Sequence, residues 1–121
     1  MFKSEVNMKL AIIGSRTLTN IPIDKYIPEG ATEIVSGGAR GIDNLARDYA
    51  KRKGLKLTEF LPRYDVYPGK IAPLKRNEEI ANYADAVVAF WDGESKGTVY
   101  TVKLFRALRK KVRLVTIKLK K

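Results

Sequence analysis

Apolar positions change their period as the chain is read from its start. After Lys9, Leu10-Ala11-Ile12-Ile13 form an unbroken apolar run, which predicts a parallel strand over Lys9–Ile13 covered on both faces. Gly14-Ser15-Arg16 ends it, and Thr17 to Pro22 reads as loop. Ile23–Ile27 is a short helical turn, stopped by Pro28 and Gly30. Glu33–Val35 reads as a second strand, and Ser36-Gly37-Gly38-Ala39-Arg40-Gly41 follows it as a tight glycine loop. The period then becomes helical. Ile42, Leu45, Ala46, Tyr49 and Ala50 fall at i, i+3, i+4, i+7 and i+8, so Gly41 to Lys53 is a helix with one apolar stripe. Gly54 is its expected C-cap.

Leu55–Leu61 is the third predicted strand, ended by Pro62. Arg63 to Pro73 is the longest irregular stretch; it reads either as a lid carrying Tyr64, Asp65 and Tyr67 or as a surface connection pinned by its tyrosines. A helix follows over about 74–83, with Leu74, Ile80, Ala81 and Ala84 expected to face inward. Ala86–Trp91 is a fourth strand and the most apolar one, and Asp92 to Gly97 is a loop. The last helix is expected over about 98–109, with Thr98, Val102, Phe105 and Leu108 on its inner stripe and Thr98 as an alternative N-cap. Val112–Ile117 is a fifth strand.

Strand and helix therefore alternate through the chain, the signature of an α/β fold: one doubly wound sheet of about five parallel strands, helices on both faces. With 121 residues there is one core, assigned to residues 9–118, with residues 1–8 as a loose extension and 119–121 as a basic tail. No apolar run approaches a membrane span, and the polar start does not resemble a signal peptide, so a cytoplasmic protein is expected. The sequence is compatible with a homo-oligomer but does not specify one.

The composition narrows the chemistry. There is no Cys and no His, which removes disulfides, thiolate and imidazole catalysis and the usual zinc sites, so neither a metal nor a resident cofactor is expected. Lys and Arg number 24 against 13 Asp and Glu, a formal charge of +11, which favours anionic partners. Nine of these bases lie between Lys103 and Lys121 with no acid among them, either as a solvated face or as a surface for nucleic acid.

In a sheet of this class ligands gather beyond the carboxyl ends of the strands, where the strand order reverses. For an order 3-2-1-4-5 that crevice lies between the first and fourth strands. Gly14, Ser15 and Arg16 would border it, with Ser36 through Gly41 and with Asp92, Gly93, Gly97 and Thr98. The glycine loop leads into a helix N-terminus, whose free N–H groups suit a phosphate. Arg16 can grip a phosphate with two N–H groups at once. Asp43, in the first helical turn, serves either the helix dipole or a ribose hydroxyl. Trp91 is expected in the core, with base stacking as the alternative.

Taken together, Ala11-Ile12-Ile13-Gly14-Ser15-Arg16, Val35-Ser36-Gly37-Gly38-Ala39-Arg40-Gly41-Ile42-Asp43, Arg76-Asn77, Asp92-Gly93 and Gly97-Thr98 resemble the SLOG superfamily of Rossmann-like domains. That superfamily includes the DNA-processing protein A (Smf) family, the LOG phosphoribohydrolases and small stand-alone YspA/YpsA-related members. The resemblance spans about residues 9 to 117 and implies a nucleotide or phosphorylated nucleoside ligand at the three loops, with Arg76 matching the LOG catalytic Arg and Asn77 beside it. The LOG catalytic Glu is missing, because Val99, Tyr100 and Thr101 follow Thr98, which leaves Glu78 and Glu94 as the carboxylates that loops would have to bring in. The expectation is thus a nucleotide binder, acting as a sensor or as a weak N-glycosidic hydrolase. The Smf likeness implies the alternative, single-stranded DNA binding through Arg16, Arg40, Lys75, Arg76 and the basic C-terminal stretch.

Overall fold

A computed structural model describes residues 7–38 and 40–118. Ala39 and the two ends, residues 1–6 and 119–121, lie outside the described residues. Five strands form one parallel sheet in the order β3-β2-β1-β4-β5. They are β1 (Met8–Gly14), β2 (Ala31–Ser36), β3 (Lys56–Glu59), β4 (Ala86–Trp91) and β5 (Lys111–Thr116). The helices are α1 (Ile42–Lys53), α2 (Ala72–Tyr83) and α3 (Lys96–Ala107), and Ile23–Tyr26 forms a 3-10 turn.

Two cores sandwich the sheet. Leu10, Ile12, Ile34, Val88 and Phe90 point to the side covered by α1 and the 3-10 turn, against Ile42, Ala46 and Tyr49. Ala11, Ile13, Val35, Val87 and Ala89 point the other way, against Ile80, Ala81, Val102 and Phe105 of α2 and α3. β1 from Leu10 to Ile13 and the whole of β4 are therefore apolar without interruption, because alternate side chains enter different cores. From β1 the chain builds β2 and β3 on one side, then returns to lay β4 against the other side of β1 and β5 beyond it. The tips of β1 and β4, paired at Gly14 and Phe90, are the point where the order reverses.

Two inward-facing expectations are corrected. Leu74 is 39% exposed, because in the first half of α2 Ala72 and Arg76 take the inward positions, and the helix buries Ile80 and Ala81 in its second half. A stripe containing a buried Arg cannot be found by following apolar residues alone. Leu108 is also exposed, since α3 ends at Ala107 and Leu108 is its C-cap. The helical turn expected over Ile23–Ile27 is a 3-10 turn, Ile23–Tyr26, and β3 ends at Glu59, short of the expected Leu61, where its pairing with Ser36 of β2 runs out.

One residue of the basic C-terminal stretch has an internal task. The Lys110 ammonium donates to the carbonyls of Ala81 (2.7 Å), Asn82 (3.1 Å) and Ala84 (2.7 Å), at the C-terminus of α2. Those groups have no helical partner of their own, and a cation there also meets the negative end of the helix dipole. Lys110→Met is therefore expected to lower stability by about 2 kcal/mol in urea unfolding, while Lys103→Met stays within about 0.5 kcal/mol. Equal effects for the two variants would refute the capping role.

Candidate functional site

The strand tips at the reversal point are tied together by Ser15. Its N–H donates to Phe90 O (3.0 Å), and its hydroxyl accepts from the Asp92 N–H (3.1 Å). The side chain of Asp92 organises the loop that follows β4: Oδ1 accepts from the N–H groups of Glu94 (2.9 Å) and Ser95 (2.8 Å), and Oδ2 from the Thr17 hydroxyl (2.7 Å). Ser95 then caps α3, its hydroxyl oxygen accepting from the Thr98 N–H (3.4 Å). The N-cap is thus Ser95, not Thr98, and α3 begins two residues earlier than its apolar stripe indicates.

Between these loops opens a cleft of about 390 Å³. Of the predicted site residues, Gly14, Ser15, Arg16, Gly37, Asp43, Arg76, Asn77, Asp92, Gly97 and Thr98 line it. The structure places five others elsewhere. Ser36 is fully buried and accepts from the Gly38 N–H (3.2 Å), and Gly38 sits against Leu61. Gly41, at φ +73°, packs its backbone on the carbonyl oxygens of Ser15, Arg16 and Leu18, a contact that a side chain would block. Arg40 and Gly93 are exposed to solvent. Trp91, whose indole N–H donates to Ser95 O (3.1 Å), is absent from the cleft lining.

Arg76 changes the character of the site. It is 8% exposed and enters from α2, donating from Nη1 to Gly37 O (2.8 Å) and from Nε to Asn77 Oδ1 (2.8 Å). A Cβ on Gly37 would stand 2.5 Å from that Nη1, so the guanidinium occupies the space the glycine leaves. Burial pushes the Arg76 pKa down, the Asp43 charge opposes this, and the Arg16 charge adds to it. Two guanidinium groups, one buried and one exposed, therefore line the cleft together with the carboxylates of Asp43 and Asp92. Asp43, itself 8% exposed, supplies a carboxylate at the same wall.

Glu78 and Glu94 stand apart from the cleft. Glu78 accepts from the Tyr100 hydroxyl (2.7 Å) and pairs with Lys75 (3.6 Å), and Glu94 lines a neighbouring groove. Sequence reasoning missed Ile13, Thr17, Pro73, Leu74, Ile80, Ser95 and Thr101, which also line the cleft. Two had signals: Pro73 marks a first helical turn and Ser95 an N-cap. Among the described residues no cluster of His, Cys, Asp and Glu is placed to hold a metal ion, and no helix is long and apolar enough to cross a membrane.

The bonds to Asp92 set a pH dependence. The Thr17 hydroxyl and the Glu94 and Ser95 amides hold its pKa down at about 2, against an ordinary 3.8. The stabilisation is complete above the ordinary value and disappears as pH falls from about 4 through about 2. Asp92→Asn should therefore be less stable than the parent chain at pH 5, with the difference shrinking by pH 2. A gap that is constant with pH in urea titrations would contradict this assignment.

Neither a family model nor a curated protein sequence matches the chain. Among solved structures, DNA processing protein A from Helicobacter pylori, described for its single-stranded DNA binding mode, has the same fold at a TM-score of 0.68. The two are 23% identical, over 94% of this chain and 67% of that one.

Proposed function

We propose that the cleft binds the phosphate and sugar of a nucleotide. The observation that carries this is the pairing of unlike groups on one wall: the guanidinium groups of Arg16 and Arg76 beside the carboxylate of Asp43. A site for a bare anion gains nothing from a carboxylate, whereas a sugar phosphate presents both an anion and hydroxyl donors. Arg16, exposed at the tip of β1, takes the phosphate, and Asp43 accepts from a ribose hydroxyl. Arg76 holds the wall in shape and adds positive charge behind it.

Calorimetry with inorganic phosphate and ribose 5-phosphate tests the reading. Ribose 5-phosphate should bind the more tightly, and Asp43→Asn should erase that advantage; absence of binding by either probe sinks the proposal. The carboxylates on the cleft wall, Asp43 and Asp92, both have partners within the protein, and none follows Thr98, which supports binding, as a sensor would, over N-glycosidic hydrolysis. Release of free base from nucleoside monophosphates that disappears on Arg76→Ala would overturn that preference.

A second reading, single-stranded DNA as the source of the nucleotide, is favoured by the likeness in fold and by the charge of +11. Strand binding followed by fluorescence anisotropy should then weaken with salt, with a log–log slope of about −0.7 per phosphate neutralised. If a free nucleotide is the ligand instead, no strand binding is seen near physiological salt.

A further inference from the structure

Beside the cleft lies a second concavity of about 450 Å³ between the first turns of α2 and α3, and nothing in the phosphate-and-sugar reading uses it. We propose that this groove seats the nucleobase of the nucleotide whose phosphate the cleft holds, an inference that rests on the reading above.

The two spaces are contiguous, since Leu74, Ser95 and Gly97 line both. Gly97, common to both, carries no side chain, so none closes the passage between them. Leu74, Val99 and the ring of Tyr100 form the apolar walls. Leu74 is apolar yet 39% exposed, in the first turn of α2. The Tyr100 hydroxyl is engaged by Glu78 at 2.7 Å, so the polar end of the side chain is satisfied within the protein and its ring is held in place.

Lys96 and Lys103 line the same groove two helical turns apart, about 10.5 Å along the α3 axis, with Val99 and Tyr100 between them. A wall that is aromatic and aliphatic in its middle, with Lys96, Lys103 and Glu94 as its charged members, suits a flat heterocycle whose edge carries both hydrogen-bond donors and acceptors. A fatty acyl chain would leave the open passage to the polar cleft unexplained. The size and lining match those of small-molecule sites, apolar with a few placed polar groups.

Three probes separate the groove from the cleft: ribose 5-phosphate, AMP and UMP, each titrated by calorimetry. AMP should bind about tenfold more tightly than ribose 5-phosphate, the scale of one base stacked on an aromatic ring. UMP, with its smaller ring, should fall between them. Tyr100→Ala should bring the AMP advantage to about one while leaving ribose 5-phosphate affinity unchanged. Tyr100→Phe, which keeps the ring and loses the Glu78 bond, should retain it, and Leu74→Ser offers an independent loss at the opposite wall. Equal affinities for AMP and ribose 5-phosphate in the parent chain, or an AMP advantage that survives both Tyr100→Ala and Leu74→Ser in folded protein, would overturn the groove and leave the cleft reading standing. Failure of all three probes to bind would remove the cleft reading itself.

Discussion

Gly14→Ala is expected to cost about 3 kcal/mol of folding stability, roughly 10 °C in midpoint temperature. The last residue of β1 lies where the sheet reverses its order, with α1 crossing directly above it. A methyl group there would overlap Cγ1 of Ile42 and come within 2.7 Å of Phe90 O and 2.9 Å of Ile42 Cβ. Neither neighbour can yield. Ile42 is fully buried, and Phe90 O accepts the Ser15 N–H at 3.0 Å in the link between β1 and the tip of β4. Relief requires α1 to lift or β1 and β4 to part, and either movement opens the cleft. Gly97→Ala is the matched control, because its added methyl meets open space and it lies inside a helix, where Ala is preferred to Gly. The check is urea unfolding of both variants; a Gly14→Ala chain within about 0.5 kcal/mol of the parent would show that the close approach does not exist.

The same strand tip shows why the sheet was legible from sequence. From Leu10 to Ile13 in β1 and throughout β4 both faces are covered, so the positions are apolar and the runs stand out with no distant information needed. Alternation of strand and helix implies a parallel sheet but not its strand order; the order 3-2-1-4-5 entered as a condition, and the structure has it. Strand and helix ends were less legible because they are fixed by partners elsewhere: the pairing of Glu59 with Ser36 ends β3, and Ser95 starts α3 through a loop that Asp92 arranges.

Side-chain roles that depend on long-range contacts were the least legible. Arg76 matched a motif, yet nothing near it in sequence shows that it is buried, since its anchor is the carbonyl of Gly37, 39 residues away. Treating Arg76 as a surface residue moves the apparent inward stripe of α2 and places Leu74 in the core. Lys110 looked like one more cation in a basic run, and only the fold brings the end of α2 to it. The glycine loop was legible as a loop but not in its detail: Gly37 reaches the cleft, while the Gly38 amide is taken by the Ser36 hydroxyl.

Arg16 and Arg76 should respond differently to the same substitution, and the contrast isolates recognition from structure. Arg16→Ala removes an exposed side chain, so stability should hold within about 0.5 kcal/mol while ribose 5-phosphate affinity falls about thirtyfold, the scale of a charge-assisted hydrogen-bonded pair. Arg76→Ala does more. It strips the donor from Gly37 O, withdraws the positive charge that faces Asp43, and leaves a void between α2 and the loop after β2. Stability should drop by about 3 kcal/mol, and affinity should fall with it because the wall carrying Asp43 loses its support. Arg76→Lys keeps a charge but cannot reach Gly37 O and Asn77 Oδ1 together, so it should recover less than half of the lost stability. Thermal unfolding and calorimetry on the three variants decide the matter. If Arg16→Ala binds ribose 5-phosphate as the parent chain does, the exposed guanidinium is not the phosphate ligand; if Arg76→Ala is fully stable, the buried one does not hold the wall.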